Sequence, residues 1–238
     1  MNTKKYFIAG ALMLAMSAPA TAQEVNYAEA LKPITAAIQA APNDPKAAKD
    51  LIKEYQKTFK KNEEAIVALG NVYLLQHNYA VATDIANSVV NNKKFNGSLG
   101  YVLLGDIAAL QDSIGNAGAA AQQYQTAISL DPQNVTAYER YAKVYRHVNS
   151  KVAVAKLEEL RKVKPDYPVE ATAAEIMLND GKYQEALAWY GKANPAYMTE
   201  DNFYNYGFAA YITKDYQKAL DVVKQGLQKF PNSEYLSR

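Results

Sequence analysis

The sequence predicts an all-α fold built from one helical hairpin that recurs along the chain. Ala120, Ala153, Ala186 and Ala219 follow one another at a spacing of 33 residues, and the apolar residues around each alanine recur with it. Apolar residues at steps of three and four lie along one face of a helix. A small residue in the middle of that face lets a neighbouring backbone approach closely. We therefore expect these alanines to mark the second helices of successive hairpins.

A second recurring pattern precedes the alanine helices and predicts the first helix of each hairpin. It consists of a large residue, another large residue three places later and a small residue directly after it, as in Ile66, Leu69 and Gly70. The second large side chain projects from the helix as a knob, and the small residue beside it leaves a notch. A side chain of a neighbouring helix can pack into that notch. Pro132 and Pro165 fall where second helices must stop, because proline supplies no amide hydrogen and disfavours a helical conformation in the preceding residue.

These residues resemble the tetratricopeptide repeat, a helix-turn-helix unit of about 34 residues. The resemblance covers residues 62–233, as about five tandem copies. It implies a right-handed α-solenoid of stacked hairpins, in which the first helices line a concave groove. Ankyrin repeats share the 33-residue spacing, but their Thr-Pro-Leu-His turn does not occur in this sequence.

The first residues have the pattern of a cleavable export signal. Lys4 and Lys5 precede an apolar run, and residues 20–22, Ala-Thr-Ala, have the small side chains of a signal-peptidase site. The sequence therefore predicts a signal peptide over residues 1–22 and a mature protein that is periplasmic or secreted. The apolar run is shorter than the roughly 18 to 20 residues that a membrane span needs, so no integral span is expected after cleavage.

Two shorter segments flank the repeats. Residues 23–61 predict N-terminal helices, namely a partial repeat followed by a basic amphipathic helix. We expect that basic helix to be a solvated end cap, with a docking site for anionic surfaces as the alternative. Residues 234–238 predict the start of a further helix or a truncated end. Because a solenoid needs its last apolar face covered, further repeats or a subunit are expected there.

Composition and motifs argue against several classes of function. Lys4 and Lys5 account for the whole formal charge of +2, and the near-neutral mature chain does not have, at the level of the whole chain, the excess of basic residues that nucleic-acid binding favours. The sequence contains no cysteine, which excludes disulfides and thiolate metal sites. It has no serine elbow, zinc-protease helix, phosphate-binding loop or dinucleotide fingerprint. We therefore expect no catalytic residue, metal, cofactor or nucleic-acid partner.

The resemblance implies that the groove lined by the first helices is the working surface. Its wall would run from mixed through charged to aromatic side chains, which suits an extended or helical segment of another protein of the cell envelope. The aromatic residues would bury an apolar anchor, and the basic residues would meet acidic groups. The predicted groove residues are Asn71, Asp106, Glu139, Arg140, Lys143, Arg146, Glu175, Tyr204, Phe208 and Tyr211.

Two alternatives stay open for the aromatic end of this groove. Its rings could pack only on a following repeat. They could also bind glycans, because aromatic rings stack on sugar faces and the chain has 19 tyrosines. Most of these, such as Tyr124, Tyr190 and Tyr216, occupy large-residue positions where the repeat buries rings, so only Tyr204 and Tyr211 are expected to be free. A non-catalytic protein-binding scaffold is therefore favoured over a glycan-binding or cell-wall-binding accessory protein.

Overall fold

The computed structural model describes residues 26–41, 44, 46–111 and 117–237, so the signal peptide expected over residues 1–22 lies outside the described part. Within those ranges the chain is helical and contains no strand. A short 3-10 helix at Pro195–Tyr197 accompanies twelve α-helices there. These are α1 (Tyr27–Ala40), α2 (Lys49–Phe59), α3 (Glu63–Leu75), α4 (Tyr79–Val90), α5 (Ser98–Gln111), α6 (Gly118–Leu130), α7 (Val135–Tyr145), α8 (Ser150–Val163), α9 (Glu170–Asn179), α10 (Tyr183–Tyr190), α11 (Glu200–Ile212) and α12 (Tyr216–Lys229).

The chain divides into two compact units, an N-terminal unit over Met1–Ile107 and a C-terminal unit over Ala108–Arg238. In the N-terminal unit, α3 pairs with α4, and α1 and α2 pack on each other and on α3. In the C-terminal unit, α7 pairs with α8, α9 with α10, and α11 with α12. Each of these pairs contacts the next one, through α8 with α9 and α10 with α11. Short connections thus fold consecutive helices into hairpins.

Side-chain caps mark the starts of several helices. The carboxamide oxygen of Asn134 accepts a hydrogen bond from the Ala137 amide, 3.2 Å away, at the start of α7. Thr199 and Asn202 form a reciprocal capping box at the start of α11. Asn149 caps the second helix α8 through its side-chain oxygen. Each cap satisfies an amide that helix geometry leaves without an internal partner.

A residue in the left-handed backbone region closes the tight turn inside three of the hairpins. Its φ is 57° at His77 between α3 and α4, 70° at Gly181 between α9 and α10, and 65° at Lys214 between α11 and α12. Glycine adopts this conformation without steric cost, whereas a side chain makes it unfavourable. The last hairpin therefore uses a costlier turn residue than the hairpin before it.

Small residues lie where helices pack most closely. Ala120, Ala153 and Ala186 are buried in the C-terminal unit. In the N-terminal unit, a Cβ placed at Gly70 of α3 would clash with Leu103 of α5. Such a close contact is what the small-residue pattern predicts, because a larger residue at position 70 would require the buried Leu103 side chain to move.

A final turn of chain packs on the end of α12. Leu236 is buried, and its amide donates a hydrogen bond to Ser233 Oγ, 2.9 Å away, in the manner of a helix N-cap. The Tyr235 ring stacks on Tyr204, with ring centroids 4.2 Å apart. This turn covers only part of the outer side of α12.

Candidate functional site

The candidate site is a strip of side chains along the first helices α7, α9 and α11 of the C-terminal unit. Lys143 on α7 and Arg146, the residue directly after α7, both interact electrostatically with the Glu175 carboxylate on α9. Asn202 on α11 donates a hydrogen bond from Nδ2 to Glu175 Oε1 over 2.5 Å. Glu175 thus connects three successive hairpins. We call Lys143, Arg146, Glu175 and the exposed aromatic residues of α11 the C-terminal strip.

Glu175 is the partly buried acid at the centre of the strip. Burial raises the pKa of its carboxyl group, because the charged form loses contact with water. The Asn202 hydrogen bond and the charges of Lys143 and Arg146 lower that pKa, while Asp201 raises it further. The cations therefore only partly offset the cost of keeping a carboxylate at this position.

The positive end of the strip is Arg146. Its Nε donates a hydrogen bond to His147 Nε2 over 2.9 Å. Burial lowers the pKa of Arg146, whereas Glu175 raises it. Burial and the neighbouring Arg146 charge lower the pKa of His147, with Asp180 acting in the opposite direction. A neutral His147 can accept the hydrogen bond, and the guanidinium stays charged at any ordinary pH.

Arg140 departs from the expected groove position. The residue is 7 % exposed, so it is packed inside the unit and does not line an open surface. The reason is helical rotation, since each step along a helix turns the side chain by about 100°. The preceding Glu139 is only half-buried, and its carboxylate accepts a hydrogen bond from the Tyr167 hydroxyl over 2.8 Å.

The aromatic end of the strip lies on α11. Phe208 is 39 % exposed and Tyr211 is 60 % exposed. The Phe208 ring meets Tyr183 edge-on at a centroid distance of 6.2 Å, and Tyr211 meets Tyr216 at 5.6 Å. Both rings are held by neighbours on one side and open on the other. Half-exposed rings of this kind can contact an apolar group.

Tyr204 differs from these two rings. One face of it is covered by Tyr235 from the final turn of the chain. One alternative for these aromatic residues was that they pack only on a following segment of the chain. Tyr204 does pack on such a segment. Tyr211 is left as the more open of the two tyrosines that a glycan could use.

Asn71 and Asp106 lie in the other unit, on α3 and α5, and both are half-buried. Of the expected groove residues, the structure brings together Lys143, Arg146 and Glu175.

Asn202 was not expected in the site, because Thr-x-x-Asn at the start of a helix indicates only a cap. In the folded chain its side-chain oxygen accepts the Thr199 amide, while its nitrogen reaches Glu175.

A cavity of about 250 Å³ adjoins Glu175 and Asn202. Its wall is completed by the start of α9, including Glu170, and by residues 193–199 before α11.

Among the described residues, no three His, Asp or Glu side chains are grouped so that they could hold a metal ion. In the same part of the chain, no helix is both long and apolar enough to span a bilayer.

The consecutive hairpins define an α-solenoid, and the fold is that of tetratricopeptide-repeat proteins. PilW, described as a widely conserved type IV pilus biogenesis factor, matches with a TM-score of 0.60 and 16 % identity over 90 % of this chain and 98 % of that chain. TTC0263, a thermophilic tetratricopeptide-repeat protein of Thermus thermophilus, matches with a TM-score of 0.53 and 20 % identity over 78 % of this chain and 100 % of that chain.

YrrB, described as a tetratricopeptide-repeat protein with an unusual peptide-binding site, matches with a TM-score of 0.51 and 15 % identity over 78 % of this chain and 94 % of that chain. No protein-family model and no curated protein sequence matches the chain. At such low identities the likeness shows the fold alone. The predicted class, all-α with stacked helical hairpins, is confirmed.

Proposed function

We propose that this protein is a non-catalytic scaffold that binds a segment of a partner protein along the C-terminal strip. The observation that carries the proposal is the exposure of Phe208 and Tyr211 on the helix next to the Glu175 network. Exposed neighbouring aromatic rings are unfavourable in water, and they are the side chains that contribute most to protein interfaces. The two half-open rings therefore support binding rather than folding alone.

The strip also suggests the chemistry of the partner. An apolar side chain would contact Phe208 and Tyr211, and an acidic group would approach Lys143 and Arg146. Neighbouring first helices are separated by roughly 10 Å, so α7 and α11 are roughly 20 Å apart. An extended chain advances about 3.3 Å per residue. We therefore expect the acidic residue and the apolar anchor to be about six residues apart in an extended partner segment.

The setting that we propose is the cell envelope. The export signal predicted over residues 1–22 supports it, as does the pilus biogenesis role given for PilW, while the peptide-binding site given for YrrB supports a peptide as the ligand. Cleavage is expected to leave Gln23 as the first residue of the mature chain. N-terminal sequencing of the protein from a periplasmic fraction tests this point, and recovery of an uncleaved chain from the cytoplasm would contradict it.

The binding proposal is tested by selection from a displayed library of random twelve-residue peptides. Selected peptides should combine an aromatic or aliphatic residue with Asp or Glu about six positions away, because the strip pairs rings with cations. The double variant Lys143→Glu/Arg146→Glu should bind them at least tenfold more weakly. Replacing the peptide acid by lysine should restore binding to that variant.

The matched control is Lys151→Glu/Lys218→Glu, which makes the same charge change at two exposed residues near the starts of α8 and α12. It should bind the selected peptides like the wild type. Equal losses in both double variants would contradict a localised site. Glycan-array binding that is abolished by Tyr211→Ala, with no peptide selected, would instead support the carbohydrate function.

A further inference from the structure

A row of lysines follows one face of α2 in the N-terminal unit and continues to Lys60, directly after the helix. Lys49, Lys53, Lys57 and Lys60 follow one another at steps of four, four and three residues, and all four are exposed. Such steps place side chains on the same face of a helix. We call these four residues the lysine stripe. It spans about 16 Å, since the helix rises about 1.5 Å per residue.

The opposite face of α2 is firmly anchored. Tyr55 and Phe59 are buried, and their rings contact each other at a centroid distance of 4.6 Å. The Tyr55 hydroxyl donates a hydrogen bond to the Ala65 carbonyl over 2.9 Å, and Phe59 also meets Tyr27 edge-on at 6.4 Å. These contacts fix the rotation of α2, so the lysine stripe is held towards solvent.

The stripe is not explained by the stability of the helix. None of its four lysines forms an ion pair with another described residue, although Asp50 and Glu54 lie on the same helix. Like charges four residues apart destabilise a helix. Each like-charged pair in the stripe costs roughly 0.2 to 0.5 kcal/mol of helix stability, and an anionic surface approaching the stripe would relieve that repulsion.

We propose that the lysine stripe docks the protein on an anionic lipid bilayer. All of its cations are lysines, which act as point charges, whereas arginine is the residue that suits bidentate recognition of individual carboxylates or phosphates. A row of point charges fits the diffuse negative field of lipid headgroups. Single-stranded nucleic acid would need exposed rings for base stacking, and Tyr55 and Phe59 are buried.

The docking is peripheral and reversible. Leu51, the exposed apolar residue of α2, is two residues from Lys49 and therefore points about 160° away from the stripe. The stripe thus carries charge without an apolar side chain to insert between lipids. Binding that depends on charge alone is screened by salt within about 10 Å at 0.1 M ionic strength.

The test is cosedimentation of the full mature chain with vesicles made of equal parts phosphatidylglycerol and phosphatidylcholine, at low ionic strength. Each lysine near an anionic surface is expected to raise the partition coefficient about fivefold. The variant K49Q/K53Q/K57Q/K60Q should therefore lose two to three orders of magnitude, roughly, in partition coefficient. The same four positions changed to arginine should retain binding, because the charge is kept.

The control removes four exposed lysines of the C-terminal unit, as K151Q/K162Q/K218Q/K224Q, and should lose less than about fivefold. All substitutions are at exposed positions, so circular dichroism should show folded variants. Equal losses in the two glutamine variants would overturn the proposal. Tight binding to pure phosphatidylcholine vesicles, or stronger retention by a DNA fragment or by polyglutamate than by anionic vesicles at the same salt, would also overturn it.

Discussion

Helices α8 and α12 are the second helices of an inner hairpin and of the last hairpin in the C-terminal unit. They carry the same repeat positions, with Ala153 matching Ala219 and Val154 matching Leu220. Val154 is 5 % exposed, whereas Leu220 is 49 % exposed. The reason is that α9 packs on α8, whereas in the described part of the chain the segment after α12 is a single turn, which contacts α12 through Leu236 beside Gly226. One sequence position is therefore core or surface depending on its neighbour.

The difference has a consequence for local stability. In repeat folds, each hairpin contributes its own stability and one interface term for each neighbour. Because Tyr216 and Leu220 of α12 are exposed within the described part of the chain, the amides of α12 in this chain should exchange with solvent before those of α8. The expectation that Tyr216 is buried like Tyr124 and Tyr190 was wrong for the same reason, since its ring lies on this open side.

The largest expected effect on the free energy of unfolding is the difference between substitutions on the two sides of α11. Phe203 is fully buried between hairpins, whereas Phe208 is partly exposed on the open side. Phe203→Ala should lower the free energy of unfolding by about 3 to 5 kcal/mol, because it leaves a cavity. Phe208→Ala should cost less than about 1 kcal/mol. Urea denaturation followed by circular dichroism measures both, and similar losses would contradict the assignment of the two sides.

A smaller effect should distinguish the matched positions on α8 and α12. Val154→Ser should lower the free energy of unfolding by about 2 kcal/mol, since it removes apolar contacts and buries a hydroxyl group. Leu220→Ser should change it by less than about 0.5 kcal/mol, as expected for an exposed site. Amide hydrogen exchange in α8 and α12 reads out each change locally. A large loss from Leu220→Ser would mean that another molecule covers this face in solution.

The fold could be predicted from the sequence because its signal is local and repeated. The spacing of Ala120, Ala153 and Ala186 reports one burial pattern three times, and each copy supports the others. The knob-and-notch pattern in the first helices likewise matches the close approach at Gly70. Helix pairing follows from such periodicity, since an apolar stripe must be buried against a neighbouring helix.

The site was less predictable because it depends on pairs that are distant in sequence. Nothing in the pattern around Asn202 indicates that its side chain reaches Glu175, 27 residues earlier. Arg140 was misplaced because a single helical step separates a groove residue from an interior one. The exposure of Tyr216 depends on which segment follows α12, and the repeat pattern of the helix itself contains no information about that neighbour.

Substitutions in the turns of the inner and last hairpins should change the free energy of unfolding in opposite directions. Gly181→Ala should lower the free energy of unfolding by about 1 kcal/mol, because alanine disfavours a positive φ. Apart from the two chain neighbours, no described residue has an atom within 4 Å of the position of an alanine Cβ there, so crowding does not contribute. Lys214→Gly should raise the free energy of unfolding by about 1 kcal/mol, less the chain entropy that glycine loses on folding. Thermal denaturation measures both, and shifts of the same sign would contradict the turn geometry.

The smallest expected effect on stability concerns Glu175. This acid is partly buried on the inner first helix α9, whereas the strip residues of α11 are exposed. Because burial raises its pKa above the ordinary value of 4.5, folding favours the protonated form. That favourable contribution is complete below the ordinary pKa and is lost as the pH rises through the folded-state pKa. Glu175→Gln should therefore be slightly more stable than the wild type at pH 7, with the difference disappearing towards about pH 4.

Urea denaturation at the two pH values measures this difference, and Glu158→Gln on the exposed side of α8 controls for the loss of one negative charge. The change should be small because glutamine can still accept the Asn202 hydrogen bond. Lys143 and Arg146 also recover part of the cost of the carboxylate in the wild type. A less stable Glu175→Gln at pH 7 would mean that this attraction outweighs burial, and that the cations of the strip are already satisfied from within the unit.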